Sequence, residues 1–152
     1  MNDQTKAMAD ERTMELASGI AAFEAKHFAT AIRFLSPLAE AGEAEALYRM
    51  AIMAQNGLGM VADSGMALAY MTTAAEAGHA LAQHGLGFMY MEGEGVSRNG
   101  DQAVHWFTRA AEQGLQGSMT TLGMMYREGK GVPVDPEEAG RWFGKAGFED
   151  PA

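Results

Sequence analysis

Cysteine does not occur among the 152 residues, and its absence excludes disulfide frameworks, thiolate zinc sites and cysteine nucleophiles together. A reducing compartment suits such a chain. No stretch approaches the roughly 20 consecutive apolar residues that a membrane-spanning helix needs. At the N-terminus, MNDQTKAMADER has no basic patch leading into an apolar run, so it does not read as a secretory signal. Positive charge is scarce as well. Eleven Lys and Arg stand against twenty Asp and Glu, a formal charge of −9 that repels a phosphate backbone and counts against nucleic acid and anionic membranes as partners. The expectation is a soluble, cytoplasmic protein. At 47% hydrophobic residues, one domain spanning 1–152 can bury a continuous core without disulfides or metals.

Glycine and methionine are plentiful instead, nineteen and thirteen of them. A repeat organises both. YMEGEGV at 90–96 returns as YREGKGV at 126–132 and, degraded, as AQNGLGM at 54–60, a step of 36 residues each time. The same step carries Leu86 to Leu122, Met89 to Met125, Ala103 to Ala139, Trp106 to Trp142 and Phe107 to Phe143. Apolar spacing predicts a first helix near 80–91, striped by Ala82, Leu86, Gly87, Met89 and Tyr90. A second is predicted near 100–113, striped by Ala103, Val104, Trp106, Phe107, Ala110 and Ala111. Asp63, Asn99 and Asp135 occupy one equivalent position ahead of the second helix, where a short polar side chain accepts an orphan backbone N–H. Gln102 and Glu138, three residues further on, are placed to complete a capping box, and Pro136 suits a first helical position.

Gly93-Glu94-Gly95 invites comparison with a phosphate-cradling loop. Such a loop is expected once, after a strand and opening a helix with its amides aimed at the anion. This one follows a helix, comes three times and has Glu92, Glu94 and Glu128 beside it. It reads as a turn between antiparallel helices.

LGFMYMEGEGV (86–96) with QAVHWFTRAAEQG (102–114), and LGMMYREGKGV (122–132) with EAGRWFGKAG (138–147), resemble the Sel-1-like repeat family, a relative of the tetratricopeptide repeats. A weaker copy runs from MAIMAQNGLGM (50–60) to MALAYMTTAAEAG (66–78), with Ala54 and Tyr70 where the pattern has Tyr and Trp. The resemblance divides the chain into a degenerate tetratricopeptide-like hairpin at 13–43 and repeats at 44–79, 80–115 and 116–150. AEAG at 39–42 and 75–78 and AEQG at 111–114 keep the 36-residue step throughout. The implied fold class is all-α, a right-handed superhelical solenoid of stacked helical hairpins with about eight helices, and the period and caps support it independently.

Residue by residue, architecture accounts for most candidates. Met53, Met89 and Met125 share one position and could suggest a thioether stripe for a metal, but the position packs between hairpins and methionine fills such gaps well. Trp106, Trp142, Phe107 and Phe143 read as core wedges. His27, His79, His84 and His105 fall on different elements without a zinc motif, and His105 is expected on a solvated face. There is no GxSxG, and no serine is followed three residues later by lysine. Some cysteine-rich relatives are linked to β-lactam hydrolysis, which cannot carry over to a chain without cysteine. No enzyme, and no catalytic, cofactor-binding or metal-binding residue, is expected.

What remains is the concave side that the resemblance implies, lined by outward positions of each first helix. Mapping gives three rungs: Tyr48, Ile52 and Gln55; His84, Phe88 and Met91; Thr120, Met124 and Arg127. The central row of Ile52, Phe88 and Met124 is apolar where solvent is expected, which marks either an interaction site for a peptide or partner helix or a surface that another segment covers. The expected function is a non-catalytic scaffold or adaptor for a protein partner. An inhibitor or immunity-type protein that neutralises a basic partner is one alternative, and a hydrolase-like enzyme, from a different class, is the less favoured other. Gly140, Gly144 and Gly147 replace Val104, Thr108 and Ala111 of the repeat before, which implies either fraying or a homodimer through residues 138–148.

Overall fold

Glycine turns and short polar caps cut the chain into eight helices in the computed structural model, which describes residues 2–148. They are α1 (Asp3–Glu24), α2 (Phe28–Glu40), α3 (Ala44–Asn56), α4 (Ser64–Glu76), α5 (Ala80–Glu92), α6 (Gly100–Glu112), α7 (Gln116–Glu128) and α8 (Pro136–Lys145). No strand occurs among the described residues. The chain falls into two compact units, residues 1–77 holding α1–α4 and residues 78–152 holding α5–α8. Within each, consecutive helices pair as antiparallel hairpins, and the second hairpin packs on the first through α2 and α3 in one unit and α6 and α7 in the other.

The turns repeat at atomic detail. Gly57, Gly93 and Gly129 end α3, α5 and α7 in the left-handed region at φ of 68°, 76° and 69°, which lets the following amide reach back to the last turn. Leu58, Glu94 and Lys130 donate to the carbonyls of Met53, Met89 and Met125, each at 3.0 Å. Asp63, Asn99 and Asp135 then cap α4, α6 and α8, their side chains accepting from the amides of Met66, Gln102 and Glu138.

The expected capping box is only half built. The amides of Asn99 and Asp135, which Gln102 and Glu138 were expected to accept, donate instead to the carbonyls of Tyr90 at 2.9 Å and Tyr126 at 2.8 Å, and Asp63 does likewise to Ala54. Glu138 turns to Arg141. The cap amide therefore ties the second helix back to the end of the first.

The core is aliphatic and rich in methionine in both units, and carries buried aromatic rings in the second. Met53, Met89, Met125, Trp106, Phe107, Trp142 and Phe143 are all buried, as their spacing predicts, and His105 is exposed. Three of the hairpins close where a glycine on the first helix receives a bulky side chain from the second. A Cβ added to Gly87 would lie 2.8 Å from the Phe107 ring, and one added to Gly123 would lie 2.9 Å from Phe143. Gly19 meets Leu35 in the same manner. The first hairpin thus repeats the later ones despite its shorter turn, residues 25–27 against 57–63, 93–99 and 129–135. That shorter turn places Lys26 at φ 64° without glycine.

Hairpins also meet at their loops. A Cβ on Gly59 would lie 2.7 Å from Phe28 Cβ at the start of α2, and one on Gly100 at the start of α6 would lie 1.7 Å from the Gly131 carbonyl oxygen. Gly59 and Gly131, each the second glycine of its GxG loop, therefore seat on the first turns of α2 and α6.

Candidate functional site

In the second unit, α5 sends Leu81, His84 and Phe88 to one side at the spacing i, i+3, i+7 of a helical stripe. Phe88 is 38% exposed and Leu81 45%. Beneath them lies Phe107 of α6, fully buried. The three rings form a closed set of edge-to-face contacts: His84 to Phe88 at 5.0 Å, His84 to Phe107 at 5.2 Å and Phe88 to Phe107 at 5.3 Å between centroids. Such contacts fix both the Phe88 rotamer and the plane of the imidazole.

The neighbouring helix α7 completes the fixation. Its Ser118, wholly buried, has its Oγ 2.7 Å from His84 Nδ1. Gly117 beside it is exposed, and a Cβ added there would stand 3.8 Å from His84 Cε1, in ordinary van der Waals contact with that edge of the imidazole. Burial holds the His84 imidazole below its ordinary pKa, so the neutral ring is favoured.

The predicted rungs divide on inspection. Met91 is a correction: at 6% exposure it belongs to the core with Phe107, Leu122, Met125 and Trp142. Three residues past Phe88, it is turned about 60° back toward α7 and α8. Leu81 takes the outward place instead. On α7, Thr120 and Met124 are half-buried and Arg127 is exposed. The Thr120 hydroxyl donates to the Gln116 carbonyl at 3.1 Å, and the Arg127 guanidinium lies over the Phe143 ring at 5.2 Å.

In the first unit, described by itself, Tyr48, Ile52 and Gln55 of α3 are half-buried. Burial pushes the Tyr48 hydroxyl pKa up, with Arg49 opposing and Glu45 adding to the rise. Arg49, unremarked in the sequence, lies over the Phe23 ring at 4.8 Å and bonds Glu45 at 2.9 Å, which anchors α3 to the end of α1.

Two further roles escaped the sequence reading. His79 caps α5, its Nδ1 accepting from the Ala82 amide at 3.1 Å, and buried Gln83 receives the Gln113 amide at 2.9 Å. Among the described residues no three His, Asp or Glu side chains group as a metal site requires. No helix there is long and apolar enough to cross a membrane. Along residues 138–148, Gly144 faces open space and Phe148 is about half exposed, while Lys145 lies 4.6 Å from the Trp142 ring centroid.

Comparison with known proteins places this geometry. The family described as Sel1 repeat matches residues 44–79, 80–115 and 118–147. The chain is similar to the crystal structure of a Sel1 repeat protein from Oxalobacter formigenes, at 30% identity and a TM-score of 0.80 over 88% of this chain and 53% of that one. It is also similar to c5321, a protective antigen of uropathogenic Escherichia coli strains displaying an SLR fold, at 33% identity and a TM-score of 0.83. That match covers 95% of this chain and 32% of the antigen, so the chain spans about half of one solved relative and a third of the other. No curated protein matches it by sequence.

Proposed function

The chain belongs to the Sel1 repeat family of α-solenoids, whose members are generally protein-interaction scaffolds, and from that premise we propose that it is a non-catalytic adaptor that binds a protein segment on the α5–α7 face. One observation carries the reading. Phe88 stands 38% exposed on a rotamer held by the His84 ring beside it and the Phe107 ring beneath it, with Leu81 exposed alongside. An aromatic side chain held in place while open to water loses little conformational freedom when a partner covers it, which is the property of an interface anchor. Met124 adds adaptable apolar surface from α7.

Peptides selected from a phage-displayed random library on the immobilised chain at pH 7.5 should lose binding to Phe88→Glu, while the far-ultraviolet circular dichroism of that variant is unchanged. Peptides that hold both proteins equally would refute the face. A second reading rests on the excess of acid, twenty carboxylates against eleven basic groups. In it the chain neutralises a basic partner, and the association rate with that partner falls steeply as salt is added.

A further inference from the structure

We propose that His84 is a preset hydrogen-bond donor for a backbone carbonyl of the bound segment, and that the occupant of the α5–α7 face is an extended, uncharged or basic protein segment with an apolar side chain seated on Phe88. The inference rests on the reading of that face given above.

Ser118 decides the tautomer. Its hydroxyl is wholly buried, and His84 Nδ1, 2.7 Å away, is its hydrogen-bonding partner among the described residues. A buried O–H must find an acceptor, so the hydroxyl donates to Nδ1 and the imidazole proton resides on Nε2. Among the described residues no sealed side-chain nitrogen or oxygen lacks a partner, and Nε2 has no partner among them. Nε2–H therefore reaches solvent. Its direction is fixed by Phe88 and Phe107 against the ring, and exposed Gly117 adjoins the Cε1 edge without a side chain of its own. A donor so oriented, framed by the exposed Phe88 and Leu81, is polar specificity set into an apolar patch.

The chemistry of the acceptor follows. A helix spends its carbonyls on itself, whereas an extended segment keeps them available. Burial keeps the imidazole uncharged, so it offers a carboxylate no ion pair, and the formal charge of −9 repels one. A neutral carbonyl next to an apolar side chain fits both constraints.

Imidazole nitrogen shifts of the full chain at pH 7.5 should identify His84 as the Nε2–H tautomer, and Ser118→Ala should shift the ring toward a mixture. An Nδ1–H ring in the parent protein overturns the proposal. Peptides selected on the chain should bind His84→Phe and Ser118→Ala about tenfold more weakly, the loss of one directed hydrogen bond. Gly117→Leu, at an exposed helical position, should block them while leaving the fold intact. Peptides lost on Phe88→Glu yet unweakened by all three variants would overturn the donor and leave the face standing. A selection that yields no peptide lost on Phe88→Glu overturns both.

Discussion

Gly100→Ala and Gly144→Ala are the same substitution in the second helices of two successive repeats, and they should move stability in opposite directions. Alanine is favoured over glycine inside a helix by about 1 kcal/mol. At Gly144 nothing lies within 4 Å of the new methyl group, so the gain is expressed and the variant should be about 0.5–1 kcal/mol more stable than the parent. At Gly100 the methyl would lie 1.7 Å from the Gly131 carbonyl oxygen, 2.5 Å from its carbon and 3.0 Å from its Cα.

Those atoms are backbone and cannot swing aside. Gly131 sits at φ 76° in a loop held by the Lys130 amide on Met125 and the Asp135 amide on Tyr126. Room for the methyl must come from separating the two hairpins. Overpacking of this kind costs roughly 1–3 kcal/mol even where side chains can adjust, so a net loss of about 2 kcal/mol or more is expected. For a chain of this size that is a fall in Tm of roughly 4–8 °C, against a rise of about 1–4 °C for Gly144→Ala. Thermal melts followed at 222 nm decide the matter. A Gly100→Ala protein as stable as its parent would show that the hairpins are not joined through this loop.

Other outcomes follow from single features. Lys26→Gly relieves a side chain from a left-handed backbone and should stabilise by about 1 kcal/mol in urea denaturation. Met91→Ala should cost about 2–5 kcal/mol by the same measurement, while Arg127→Ala, one repeat later and exposed, should stay within about 0.5 kcal/mol of the parent. Because the folded protein holds His84 below its ordinary pKa of about 6.5, the unfolded chain takes up the proton first as the medium is acidified. The stability that the neutral ring contributes is complete above that ordinary value and is lost as pH falls through the lowered one. The stability gap between parent and His84→Phe, measured from pH 7.5 to pH 5, should therefore shift against the parent, and a gap independent of pH refutes it.

The period made the hairpins legible, because tryptophan, glycine and cap positions recurring at 36 residues leave few ways to place helices. Faces within a helix were harder to read. A residue advances 100° along the helix, so a rung assigned as 84, 88 and 91 instead of 81, 84 and 88 sends a core methionine outward and hides Leu81. The capping box failed for a non-local reason. Whether Glu138 can reach the Asp135 amide depends on the Tyr126 carbonyl, and no local pattern shows that carbonyl arriving first. Ser118 looked like any helical serine, since its significance lies in a ring 34 residues earlier. The equivalence of Gly19 to Gly87 and Gly123 was masked by the short turn, which shifts the register that made the other repeats visible.

The seating of Gly59 on α2 and of Gly131 on α6 bears on how such a chain can change in length. Phe28 to Gly59 and Gly100 to Gly131 are the same interval of 31 positions, so plug and socket travel together inside any stretch copied by a whole period. A duplication at that length regenerates its own joint wherever it lands, with no second mutation needed to mend the seam. Insertions of one or two residues between Gly129 and Asp135 would break it. Lineages built from this module should vary in steps of 36, and smaller indels should collect in turns like 25–27, which carry no such plug.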